Sequence, residues 1–145
     1  MGKRKQNPYA YVDGLEKNKP YAILSDKMAL SSVYQGLSLE AKYVLQVCKL
    51  CRQYHQKTDK TLNNNLLYFY FNRKLQEKYG LKNPNKARKA LCELIENGFI
   101  DVIENNAHRK TKNIYAFCSK WRNKEISGEI TLSDAALIYL KRTKV

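Results

Sequence analysis

The stretch NRKLQEKYGLKNPNKARKALCELIENGF (72–99), continued by FIDVIENNAHRKTKNIYAFCS (99–119), decides the fold. Asn72 is a residue type that caps helix N-termini, Leu75 and Tyr79 fall on one face behind it, and Gly80 suits a left-handed stop. Asn83 followed by Pro84 is a second start signal, because proline at the first helical position gives up a hydrogen bond that was not available there. Ala87, Ala90, Leu91, Leu94 and Ile95 then build one apolar stripe, Gly98 stops the helix, and Phe99 supplies the apolar contact that closes such a cap. FIDVI and IYAFC read as strands around the basic loop ENNAHRKTKN.

Outward from this stretch the pattern stays mixed. On the N-terminal side, Leu37, Ala41, Val44, Leu45, Cys48 and Cys51 recur at three- and four-residue spacing, which predicts a long helix from a Ser38 cap to about Lys57. TDKTLNNN (58–65) reads as a polar loop and LLYFYF (66–71) as a strand. YAIL (21–24) reads as a short strand and SDKMAL (25–30) as one helical turn. On the C-terminal side, RNKEISGE (122–129) reads as a polar linker and TLSDAALIYLKR (131–142) as a terminal helix. The expected fold is α+β: a winged helix-turn-helix, with a three-helix core and a small antiparallel sheet or wing, plus a C-terminal helix. Its expected divisions are a basic arm over 1–20, the winged-helix domain over 21–123, and linker and helix over 124–145.

Composition narrows the partners. At 145 residues with 43% hydrophobic content the chain can bury one ordinary core, and 27 Lys+Arg against 13 Asp+Glu give a net charge of +14 that attracts polyanions. No run of about 18 apolar residues exists to cross a bilayer, and the start MGKRKQNPYAYVDG lacks the apolar segment of a signal peptide. No membrane partner and a cytoplasmic location are therefore expected.

Projection of the second helix at about 100° per residue sets Lys82, Asn85, Lys86, Lys89, Cys92, Glu93 and Glu96 opposite the apolar stripe, with Arg88 on the flank. That face is basic in its first half and acidic in its second, and in helix-turn-helix docking it is the N-terminal part that enters the major groove. Asn85 and Arg88 carry side chains that read base edges, whereas lysines contact phosphate; Asn85, Lys86 and Lys89 are assigned to the groove, with a phosphate reached from the side as the alternative for Arg88. His108, Arg109, Lys110 and Lys112 gather in the loop that follows, where a wing touches the DNA backbone. A solvated charged helix face is the bland alternative, and the second basic element of the same sign argues against it. Lys82, Asn85, Lys86, Arg88, Lys89, His108, Arg109, Lys110 and Lys112 are accordingly the expected contacts to double-stranded DNA.

Other chemistries find less support. Cys48 and Cys51 form a C-x-x-C with His55 one turn on, but Cys92 and Cys118 are single residues far apart, and both Cys48 and Cys51 lie on the apolar helix face. No metal and no cofactor is expected. Tyr68, Phe69, Tyr70 and Phe71 could stack single-stranded bases, yet alternate residues of a strand point opposite ways, so half of them belong to a core. No nucleophile is joined to either histidine by a known motif and the glycines are scattered, so no catalytic residues and no enzyme are expected.

The segments LSLEAKYVLQVCKL (37–50), NPNKARKALCELIENGFIDVI (83–103) and NIYAFCSKWR (113–122) resemble the winged-helix domains of replication-initiator and replisome-organiser-like proteins of Gram-positive plasmids, phages and integrative elements. The matching positions are Leu37 to Lys42, Leu94 to Ile100, and Trp121-Arg122. The resemblance covers about residues 21 to 123 and implies duplex-DNA binding in a replication-initiation or accessory role, alongside other replication or regulatory proteins. A winged-helix transcriptional regulator, dimerising through an apolar face at Ala135, Leu137, Ile138 and Leu140, and a protein-interaction module docking an acidic partner remain the alternatives.

Overall fold

The computed structural model describes residues 13–15, 19–58, 67–105 and 113–143, with backbone alone for 54–58. Among these residues the chain is α+β, with seven helices and one three-stranded antiparallel sheet. In chain order they are α1 (Asp26–Leu30), α2 (Ser32–Gln35), α3 (Leu39–Thr58), β1 (Tyr68–Phe69), α4 (Arg73–Lys78), α5 (Pro84–Glu96), β2 (Ile100–Glu104), β3 (Ile114–Phe117), α6 (Lys120–Ser127) and α7 (Asp134–Thr143).

Capping chemistry sets most of these boundaries. The Ser38 hydroxyl accepts from Ala41 N at 3.1 Å ahead of α3, Asn72 Oδ1 accepts from Leu75 N at 2.9 Å, and Asn83 Oδ1 accepts from Asn85 N at 3.0 Å and from Lys86 N at 3.3 Å. Helix α5 ends with Gly98 at φ +83° and with Phe99 N bonded back to Leu94 O at 3.0 Å, which returns the chain into the sheet.

The core is one cluster. Ala41, Val44, Leu45, Val47, Cys48 and Cys51 of α3 are fully buried or nearly so, and they meet Ala87, Leu91, Leu94 and Ile95 of α5. The sheet runs in the order β1-β3-β2, with Phe69 opposite Tyr115 and Val102 opposite Tyr115 from the other side, so the inward residues of all three strands stack in one layer. Aromatic contacts fasten the layer: Phe69 stacks on Phe117 at 4.7 Å, and Phe99 stacks on Trp121 at 5.8 Å with the rings 9° apart.

Several expectations need correction. Residues 122–129 are not a linker: most of them belong to α6, an eight-residue helix whose Trp121 is buried. It is polar along its length because it is pinned by tertiary bonds, with Trp121 N donating to Gly98 O at 3.0 Å, Lys124 Nζ to Asn97 Oδ1 at 2.5 Å, and Ser32 N and Val33 N each donating to the Glu125 carboxylate at 3.0 Å. Residues 21–24 form no strand. Their backbone is satisfied by side chains of α3, Gln53 bonding both Tyr21 N and Tyr21 O, and Lys49 donating to Ile23 O, so no strand edge is required. The strand expected over 66–71 is confined to Tyr68–Phe69, because the chain turns at once toward the Asn72 cap.

Helix α7 shares the common core. Ala136, Tyr139 and Leu140 are buried in it, and the Ser133 hydroxyl both accepts from Ala136 N at 3.1 Å and donates to Asp101 Oδ1 at 2.7 Å. Asp101 also pairs with Lys120 at 3.4 Å, so one carboxylate of β2 ties the starts of α6 and α7.

Candidate nucleic-acid interface

The turn between α4 and α5 positions the site. Gly80 takes φ +86°, Leu81 is buried, and Tyr43 of α3 donates its hydroxyl to Tyr79 O at 2.7 Å, so the end of α4 is held against α3 while the chain reverses into Asn83 and Pro84. The first half of α5 then emerges with Lys82, Asn83, Asn85, Lys86, Arg88 and Lys89 all exposed, and Ala87 and Ala90 between them buried. Five of the expected contacts, Lys82, Asn85, Lys86, Arg88 and Lys89, thus share one solvent face.

The second half of α5 behaves differently from the helical projection. Cys92, placed on the open face, is 7% exposed, because Thr143 of α7 covers it with its hydroxyl 3.1 Å from the sulfur. Glu93 accepts from Ser38 N at 2.7 Å and so satisfies a free N–H at the start of α3. The acidic end of the helix is structural: Glu93 and Glu96 are half-buried, and the open part of the face is basic. His108, Arg109, Lys110 and Lys112 lie outside the described residues, as do most of the basic arm 1–20 and the loop over 59–66.

No protein-family model, curated protein or solved structure matches this chain. The residues that carry the sequence resemblance can still be read physically. Phe99 of the Gly-Phe-Ile step lies flat on Trp121 of the Trp-Arg pair, and Leu37 and Ala41 of the first motif are buried while Ser38, Leu39, Glu40 and Arg122 are exposed.

Two hollows flank Arg88. One, of about 570 Å³, runs along the outer face of α5 past Asn85, Lys89 and Glu93. The other, of about 480 Å³, lies between the start of α4, α5, the base of the β2–β3 hairpin and the end of α7, and is bordered by Arg73, Arg88, Asn105, Asn113 and Arg142. Sequence reasoning missed Arg73, Asn105, Asn113 and Arg142. The stripe Ala136, Tyr139, Leu140 and Thr143 was the available signal for Arg142, since a helix with that spacing must pack and carries its neighbour with it.

Beneath the second hollow the Tyr115 hydroxyl accepts from Asn113 Nδ2 at 3.3 Å, and its ring meets that of Tyr139 edge-on with centroids 5.8 Å apart. Burial pushes both phenols up from their ordinary range, so the floor stays uncharged. Among the described residues no group of three or more His, Cys, Asp or Glu side chains could hold a metal ion, and no helix is long and apolar enough to cross a membrane. Cys48 and Cys51 are free thiols inside the core.

Proposed function

We propose that the chain is a winged-helix protein that binds duplex DNA, inserting the first half of α5 into the major groove with the β2–β3 hairpin beside it as the wing. The element order α3-β1-α4-α5-β2-β3, with a tight turn between α4 and α5, supports the winged-helix reading. The observation that carries the functional reading is the asymmetry of α5: Lys82, Lys86, Arg88 and Lys89 are open at its N-terminal end, and the Glu93 carboxylate is turned to the start of α3. A polyanion meets only cations and amides at that end.

Lys86→Ala combined with Lys89→Ala should weaken duplex binding and flatten the salt dependence by about one unit of slope per lost phosphate contact. Asn85→Ala should shift the sequence preference recovered from a random duplex pool more than it shifts affinity. Binding that is unchanged in the lysine variant would remove α5 from the interface. Recovery of no bound duplex at all would favour docking of an acidic protein.

The narrower role, replication initiation or an accessory step on a bacterial mobile element, rests on the resemblance at residues 37–42, 94–100 and 121–122. A transcriptional regulator is favoured by one observation: Leu137 and Ile138 of α7 are 52% and 49% exposed, while Ala135 is half-covered and Leu140 is buried. Sedimentation of the free protein separates the two, since a regulator on a palindrome requires a dimer.

A further inference from the structure

The hollow bordered by Arg73, Arg88 and Arg142 lies beside the face assigned to the major groove. Each arginine comes from a different helix, α4, α5 and α7, so their convergence is a product of the fold and not of local sequence. Among the described residues no carboxylate lines the hollow. Arg88 and Arg142 form no ion pair among the described residues, and the one pair on its rim, Arg73 with Glu77 at 3.5 Å, is largely in water, where it holds little energy. The floor is neutral, because Tyr115 and Tyr139 are buried phenols packed edge-on against each other. Three guanidiniums over an uncharged floor repel one another until an anion arrives, and a guanidinium matches the paired oxygens of a phosphate.

We infer that this hollow is a phosphate clamp, in which Arg73, Arg88 and Arg142 grip the backbone of one DNA strand at the edge of the major groove occupied by α5. The inference rests on the proposed duplex binding and adds two things to it. Of the two roles the sequence leaves open for Arg88, the phosphate contact is chosen over the base edge. Helix α7 becomes part of the DNA interface, although its sequence reads only as a terminal helix.

The test uses the full chain and compares Arg142→Gln with Lys141→Gln, an exposed residue of the same helix that does not border the hollow. Duplex affinity is measured across a salt series, and unfolding curves confirm that both variants keep the parent's stability. Arg142→Gln should lower the salt slope by about one unit and weaken binding several-fold, Lys141→Gln should leave both near the parent, and Arg142→Lys should restore the slope. Sequence preference should be unchanged in Arg142→Gln and in Arg88→Gln. An Arg142→Gln slope equal to that of Lys141→Gln, with Lys86 and Lys89 still sensitive, overturns the clamp and leaves the proposed function standing. A parent that binds no duplex removes the proposed function, and titration with inorganic pyrophosphate then decides the clamp alone. Shifts of the Asn105 and Asn113 side-chain amide signals that vanish in Arg142→Gln uphold it, and no shift sinks it.

Discussion

Gly98 is the residue on which the second half of the fold turns. Its φ of +83° lies in the left-handed region, and a Cβ there would stand 2.5 Å from Ile130 Cδ1, 2.6 Å from Trp121 N and 2.7 Å from Lys120 C. Backbone cannot yield as a flexible side chain can, so Gly98→Ala should cost about 3 kcal/mol, read as a lower urea midpoint with an unchanged slope. The sequence shows this glycine as a helix stop, but the close approach of α6 that makes it irreplaceable is a tertiary fact. The buried cysteines give a second residue-scale prediction. Burial, with Cys51 beside it, raises the Cys48 thiol well above its ordinary range, and burial pushes Cys51 up to about 12. Neither can form the reactive thiolate in the folded protein, so both should resist thiol reagents at mildly alkaline pH until the chain is unfolded. Rapid modification of the native protein at either position would contradict the packing described.

At the scale of elements, local chemistry predicts well and remote chemistry does not. Helices α4 and α5 were legible because Asn72, Asn83, Pro84, Gly80 and Gly98 act on neighbours within a few residues. Helix α6 was not, because its stabilising partners, Gly98, Asn97, Ser32 and Val33, are distant in sequence and its Ile126 is exposed. The same remoteness hid the segment 21–24, which binds side chains of α3 where a strand would bind an edge. Glu125 makes this dependence measurable. It accepts from Ser32 N, Val33 N and the Ser32 hydroxyl, and the two backbone N–H bonds are the main reason its carboxyl lies below its ordinary range. A carboxyl lowered by folding stabilises the folded state above its ordinary pKa and stops doing so as pH falls through the lowered value. Glu125→Gln should therefore be less stable than the parent at neutral pH, and the gap should close in acid. A gap independent of pH would mean that the charge has no part in holding α6 to α2.

For the molecule as a whole, α7 decides what counts as the folded unit. Tyr139 and Leu140 are buried among residues of α5 and the sheet, and fully burying side chains of this kind contributes about 1.5–3 kcal/mol each, against about 5–15 kcal/mol for a whole domain. Removal of residues 131–145 should leave a chain without a sharp unfolding transition, even though it retains all of 21–123. A truncated protein with the parent's urea midpoint would show α7 to be an appendage. The candidate interface was legible to the same degree as the fold: the basic half of α5 follows from helical projection, because exposure there is set by the helix itself. Its limit at Cys92 and Glu93, and the arrival of Arg73 and Arg142 beside Arg88, depend on how α3, α4 and α7 pack, which no single stretch encodes.

The stacking of Trp121 on Phe99 also gives the protein a built-in optical reporter. Trp121 is the sole tryptophan in the chain and is 6% exposed, at the junction of α5, β2 and α6. It borders neither hollow beside α5. Its emission should shift to the red when the chain unfolds and stay nearly constant when a ligand simply seats on the basic face. A shift on adding DNA would therefore signal movement of the helix stop at Gly98, detected at a distance from the contact.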